Sequence, residues 1–356
     1  MDSGDAYDPV FHYEPLWKVR FRLFRKSFRR NWDLFRENKV GLLGLGIIIL
    51  FAVAAVAHPI MMRTVWSGEE DIYDPVIGYD AVVTERVIVE DVIDPDTEID
   101  LGRARVFDLS LRVGDTVEFP LQPAPPSSDH WMGTDPLGRD VFSQLLFSTR
   151  AAFMLGAIAA IVTVVVATTV GSLAAYYGGW LDTVLMRQAD LVLLMPLIPL
   201  LIVMSGLWTI NLPLLGVLIG VLSGFGGTAI ILKSQALQVT VKPFTDAARV
   251  AGGGHGFIIF RHIIPNVLPL SFLYMMFTVT EAISLEATLS FLGLLNVDMS
   301  WGLMIQLSHT GGYTLAGFEF WWLLLPAGIS VTLLAAAFFL VGRGMDEVIN
   351  PRLRAR

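Results

Sequence analysis

Two carboxylates, Glu281 and Glu286, stand inside a long apolar stretch, where an ionised side chain facing lipid costs several kcal/mol. Each must face protein or a water-filled path. Five residues is about 500° around a helix, so the two point in different directions and do not form a paired acid–base site. Glu281 is read as facing a translocation path, while for Glu286 helix packing and a place along that path both remain open. Other reactive constellations are missing. The nearest approach to a phosphate cradle is Gly227 to Ser234, GTAIILKS, where Lys233-Ser234 fits but Leu232 holds the second glycine's position, so the backbone cannot wrap a phosphate. His12, His58, His130, His255, His262 and His309 show no HExxH or other metal-ligand spacing. No Gly-x-Ser-x-Gly elbow is present, and the chain has no cysteine. The chain is therefore read as a non-enzyme with no metal and no cofactor of its own.

A different kind of work is written in Phe244 to Pro269, FTDAARVAGGGHGFIIFRHIIPNVLP, a polar interruption between two apolar segments. Thr245 is a predicted N-cap, with Asp246 in the first turn where a carboxylate meets the helix's partial positive charge. That helix should fade at Gly252, Gly253 and Gly254, since each glycine costs about 1 kcal/mol in a helix interior. A second piece carries Phe257, Ile258, Phe260 and Ile263 with Arg261 and His262, and Pro265 is expected to stop it. The product is either a protruding helix, turn and helix that another protein can grip, or an ordinary loop.

The elements around this stretch follow from composition. With 54% hydrophobic and 16% charged residues, the chain is far more apolar than a soluble domain of its size and reads as an all-α polytopic membrane protein. Six segments are long enough to cross a bilayer of about 30 Å, near 41–62, 152–176, 190–209, 212–232, 266–288 and 321–342. The third and fourth should form a tight hairpin bent by Pro196, Pro199 and Pro213. The second is dense in small residues, Gly156, Ala157, Ala159, Ala160, Ala167, Gly171, Ala174 and Ala175, which allow close helix approach within the chain or against a second subunit.

Residues 1–40 divide into an acidic tail and a basic stretch with nine Lys/Arg from Trp17 to Lys39. Trp17, Phe21, Phe24, Phe28, Trp32 and Phe35 recur there at helical spacing, which predicts an interfacial helix with its aromatic stripe in lipid and its cations toward anionic headgroups. A nucleic-acid arm is the less favoured reading. The first apolar run follows these cations and is expected to stay as an anchor, not a cleaved signal. Basic residues then set the orientation: the nine cations, the central group Lys233, Lys242, Arg249 and Arg261, and Arg343, Arg352, Arg354 and Arg356 in the tail 343–356 all fall on the cytosolic side. The insertion 63–130 lies outside. From Arg63 to Asp129 it carries sixteen Asp/Glu against five Arg, and alternating runs at Glu85 to Val89 and Arg105 to Leu109 predict strands. A β-rich extracytoplasmic lobe is expected, either solvated or docking a partner.

Several blocks carry a resemblance. Asp246-Ala247-Ala248, Gly252 and Ile264-Pro265 resemble the EAA loop of ABC-importer permeases. HWMGTDPLGRD (His130 to Asp140), YYGGWLD (Tyr176 to Asp182), FRHIIPN (Phe260 to Asn266), LEATLSFLGL (Leu285 to Leu294) and DEVINPRL (Asp346 to Leu353) are similar to the "C"-type permeases of the dipeptide/oligopeptide family. Two departures are visible: Asp246 stands where the family has Glu, and the glycine run loosens the turn. Related permeases are expected to have a much shorter connection in place of the insertion. The resemblance implies a permease core over 131–342 with its coupling loop at 244–265. Asp246, Ala247, Ala248, Arg249, Gly252, Arg261 and Pro265 would face an ATPase there. It further implies a prokaryotic cell-membrane importer in which this chain pairs with a second homologous permease, two ATPase subunits that hold ATP and Mg, and an extracytoplasmic substrate-binding protein. Peptides are the expected cargo, with oligosaccharide or nickel as alternatives. A self-sufficient secondary transporter or channel is the rival from another class, and it lacks a detectable inverted repeat.

Overall fold

The computed structural model describes residues 16–349 except 81, 95–96, 108 and 121. The acidic tail and Arg352, Arg354 and Arg356 lie outside the described residues. Helix α1 (Leu16–Glu37) leads into α2 (Lys39–Arg63). Asn38 caps α2 by accepting from Gly41 N at 2.7 Å. Its amide also donates to Glu347, so the start of α2 meets the last turn of the described chain. Of the aromatic stripe, Trp32 and Phe35 stack with ring centroids 6.0 Å apart, and Phe35 is buried. The side chains of Trp17, Phe21, Phe24 and Phe28 lie outside the described set.

The architecture is built on helix α5 (Val141–Tyr177), 37 residues long. Asp140 caps it, its carboxylate accepting from Ser143 N at 2.6 Å. The small residues have a definite use. Gly171 lies so close to the neighbouring helix that an added Cβ would sit 2.8 Å from Lys233 N and 2.9 Å from Ala229 O. Ala159, Ala160, Ala167, Ala174 and Ala175 are buried on the same helix, so most of this stripe is consumed by packing within the chain.

Among the described residues four helices are long and apolar enough to cross a membrane: α2, α5, the helical run His255–Phe291, and α14 (Trp321–Ile349). Two further candidates are bent pairs. Helix α6 (Gly179–Leu194) meets α7 (Leu197–Leu207) at 87°, and α8 (Leu212–Phe225) meets α9 (Gly227–Thr240) at 46°. The first break has a simple cause. Pro196 has no N–H to donate and pushes Met195 into an extended conformation, φ −73° and ψ 125°. The second break is at Gly226, not at Pro213, which sits in the first turn of α8 where its missing donor does no harm. Pro199 likewise lies in the first turn of α7. The tight hairpin expected between these two segments is replaced by packing of α8 along α5. Lys233 on α9 reaches back to Asp182 on α6, with Nζ 2.6 and 2.7 Å from the carboxylate oxygens.

Between α2 and α5 lie α3 (Glu70–Tyr73), α4 (Leu101–Phe107) and three strands, β1 (Val83–Val89), β2 (Glu98–Asp100) and β3 (Thr116–Pro120), in the order β2-β1-β3. β1 pairs parallel with β2 and antiparallel with β3, over a small core of Ile88, Ile99 and Ala104. Glu85 to Val89 is the expected strand. Arg105 to Phe107 is not: it belongs to α4, because Asp100 accepts from Gly102 N at 2.6 Å and Arg103 N at 3.1 Å and so starts a helix.

The flanks of this lobe are locked to α5. His130 is buried, its Nδ1 2.9 Å from Asp140 Oδ2 and its Nε2 2.9 Å from Asp80 Oδ2. The bond to Asp140 raises the histidine's pKa, burial partly opposes it, and the bond to Asp80 adds to the rise. Asp135 holds Arg139 and accepts from Gln144 Nε2 at 2.8 Å, and Tyr73 donates to Asp129 O at 2.8 Å.

Candidate functional site

The helix, turn and helix is present, with a different internal logic from the expected one. Helix α10 (Pro243–Val250) begins with Lys242 at its N-cap position and Pro243 in the first turn. Thr245 is not the cap: it is buried one turn in, where its hydroxyl donates to Val239 O at 2.9 Å and ties α10 to α9. Asp246 stands exposed in the first turn and pairs with Arg249 at 3.1 Å. Ala247 is exposed and Ala248 half-buried.

The end of α10 is a defined stop. Gly252 N donates to Arg249 O at 3.0 Å and Gly253 N to Ala248 O at 2.9 Å, the paired bonds of a Schellman cap. Gly252 has φ +78°, which a side chain would strain. An added Cβ would meet nothing within 4 Å, so the constraint at this position is the backbone and not space.

Pro265 does not end the second helical piece. Helix α11 (His255–Ile258) runs into a π-helical turn, Ile259–Ile263, and then into α12 (Ile264–Phe291). A proline would clash with the carbonyl four residues earlier and cannot donate to it. The widened turn just before it absorbs both problems. The helical run therefore continues from the turn to Phe291. Ile258, Ile259 and Ile263 are buried against Leu232, Ala236 and Val239 of α9, and Tyr176 at the end of α5 closes on the turn from the other side. Its hydroxyl lies 2.8 Å from His255 Nδ1, and the Arg249 guanidinium sits over its ring at 5.5 Å.

Beside its exposed charges this stretch also leaves large apolar side chains uncovered. Val250 is 91% exposed, Phe257 56% and Phe260 68%, beside exposed Arg261 and Pro265. These exposed apolar side chains lie on either side of the turn that follows α10.

The two carboxylates are separated as their spacing requires. Glu286 is 4% exposed and accepts from Ser290 Oγ at 2.6 Å, while Ser290 Oγ lies 3.2 Å from Ser300 Oγ at the start of α13 (Trp301–Thr310). It is enclosed by helix packing. Glu281 is exposed, accepts from Ser223 Oγ at 3.0 Å, and faces a groove where both helix breaks meet, lined by Met195, Leu197, Gly226 and Gly227. Sequence reasoning missed this convergence: Gly224, Gly226 and Gly227 are the local signal for the second break, but nothing local shows that this break meets the one at Pro196.

Long apolar helices, with two bent helix pairs broken beside a single exposed carboxylate, define a polytopic membrane protein. The chain belongs to the family described as "Binding-protein-dependent transport system inner membrane component", which matches residues 167–355, more than half of it. It is similar to the oligopeptide transport system permease protein OppC of Bacillus subtilis, at 29% identity over 99% of this chain and 95% of that protein. The dipeptide transport system permease protein DppC of the same organism is 34% identical over 65% of this chain and 72% of its own length. The OppC protein of Mycobacterium bovis is 31% identical over 68% and 82%. The protein is thus a multi-pass membrane permease component of a transport system that works with a binding protein.

Proposed function

We propose that this chain is one of two permease subunits of an ATP-driven importer of di- or oligopeptides. Its six crossings are α2, α5, the bent pairs α6/α7 and α8/α9, α12 and α14, with both termini and α10 in the cytosol and the strand-bearing lobe outside. The observation that carries the reading is the joined helix: the exposed Phe257 and Phe260, next to the turn that ends α10, stand on a helical run that continues from His255 into α12, which bears Glu281. From His255 to Glu281 is about 40 Å at 1.5 Å per residue. A partner that moves the exposed face therefore moves the groove as well.

The chain itself does no chemistry in this scheme. ATP and magnesium belong to two ATPase subunits that seat on Asp246, Ala247, Arg249, Val250 and the turn at Gly252. A second permease completes the path, and an external binding protein delivers cargo. Closure of the ATPases pulls α10, and the tilt of α12 exchanges inward-open and outward-open states. The names of the similar permeases favour peptide over sugar or nickel. The test is ATP-dependent uptake of trialanine by the complete complex in proteoliposomes. Transport by this chain alone, without ATP, overturns the reading.

A further inference from the structure

Glu281 is the one exposed carboxylate on an otherwise apolar stretch of α12, and its position makes it more than a lining residue. The groove it faces is built where two helices stop and restart. The last turn of α6 contributes Val192 and Leu193, and the last turn of α8 contributes Leu222 and Ser223. The first turns of α7 and α9 contribute Leu197, Gly227 and Thr228. Each break sets a partly negative helix end beside a partly positive one, so the helix-end charges largely offset each other. The net charge of the groove is that of Glu281.

No cation answers it: among the described residues no Lys, Arg or His forms an ion pair with Glu281 or lines the groove, and Lys233 of α9 is held by Asp182. The carboxylate is instead kept in place by a neutral hydroxyl, Ser223 Oγ. An exposed carboxylate with no counter-charge, set among apolar side chains, attracts a ligand that brings the opposite charge. The chemistry of the walls narrows the class. One carboxylate and two hydroxyls are too few oxygens for calcium or magnesium, and no histidine or cysteine lines the groove for a transition metal. Val192, Leu193, Leu222 and Ile231 instead offer aliphatic surface beside the single charge, which suits an organic cation with an apolar flank.

We propose that Glu281 and Ser223 form a transit subsite for the ammonium group of the cargo, with the first side chain of the peptide resting on the aliphatic wall. The proposal rests on the peptide-importer reading and goes beyond it by naming what the groove recognises.

The test uses the complete complex in proteoliposomes with peptide-loaded binding protein at saturation, following trialanine uptake and ATP hydrolysis in parallel. Glu281→Gln is expected to lower uptake at least tenfold while hydrolysis stays within about twofold of the unmodified complex, and Glu281→Asp to keep uptake within about threefold. Because the chain has no cysteine, Glu281→Cys gives it a single thiol. Modification with the anionic sulfonatoethyl methanethiosulfonate should restore uptake, and the cationic aminoethyl reagent should not. Unchanged uptake by Glu281→Gln overturns the proposal and leaves the importer reading intact. Loss of uptake that the anionic adduct does not repair assigns Glu281 a packing role and also overturns it. Failure of the unmodified complex to take up any peptide is the separate result that removes the peptide reading itself.

Discussion

The hydroxyl of Tyr176 and Nδ1 of His255 lie 2.8 Å apart, and this bond joins the end of α5 to the start of the helical run that carries Glu281. The two residues are 79 positions apart in the chain. Between them they clamp the turn that follows α10, with Arg249 laid over the tyrosine ring.

Breaking that clamp should loosen coupling before it loosens the fold. Tyr176→Phe keeps the ring for Arg249 and loses a solvent-exposed hydrogen bond worth about 1 kcal/mol. The expected result is an assembled complex that hydrolyses ATP normally but takes up less peptide per ATP. Measuring both rates on one preparation checks it, and an unchanged ratio would show that the clamp is dispensable.

At Gly252 the backbone decides. Its φ of +78° costs a side chain about 1–2 kcal/mol, with asparagine the best tolerated. Gly252→Asn should keep ATP-dependent uptake, and Gly252→Trp should abolish it while the chain still inserts in the membrane. Asp246→Lys should do the same, because it places a cation against the helix's positive end and beside Arg249. ATPase binding and uptake, assayed side by side, separate a lesion between subunits from a folding defect.

The His130 bridge predicts a pH dependence. Its folded pKa lies above the ordinary value of about 6.5, so the protonated ring, donating to Asp80 and Asp140, is the stabilised form. The contribution is fully present below about pH 6.5 and is lost as pH rises through the raised folded value. Thermal unfolding in detergent from about pH 5.5 to 8.5 should show falling stability in the unmodified protein and a flatter profile in His130→Ala, which also lowers stability by about 3 kcal/mol. Equal slopes for the two proteins would remove the bridge from the account.

The strand-bearing lobe should be removable if it is cut at the right place. Val83 and Pro120 face each other across β1 and β3, so the ends of the excised piece lie about 5 Å apart and a short Gly-Ser linker spans them. Replacing residues 83–120 in this way should leave assembly with the partner subunits intact. A cut that also takes Tyr73 or Asp80 should not, since both anchor the start of α5. Size-exclusion profiles of the two deletions distinguish the cases.

Much of this was legible in the residues because the signals are local. The apolar runs are long, Gly252 ends a short helix, and Glu85 to Val89 alternate. What escaped depended on distant or competing groups. Pro265 reads as a stop until the π turn before it is seen to absorb the clash. Arg105 to Phe107 alternate like a strand, yet the Asp100 cap makes them helical. Thr245 has the right chemistry for a cap, and its hydroxyl is instead taken by Val239 on the preceding helix. His130 gives no sign in sequence that its second partner is Asp80, fifty residues earlier.

The right-angle elbow between α6 and α7 also bears on insulation. Sixteen residues of α6 reach only about 24 Å, short of a hydrocarbon core of about 30 Å, and α7 turns away instead of completing the distance. In the crossing proposed above, this short arm and its break lie beside the exposed Glu281 of α12. On the proposed crossing, a resting transporter has to stop protons and sodium from leaking at this elbow, and the contact between Ser223 and Glu281 is the polar contact found there.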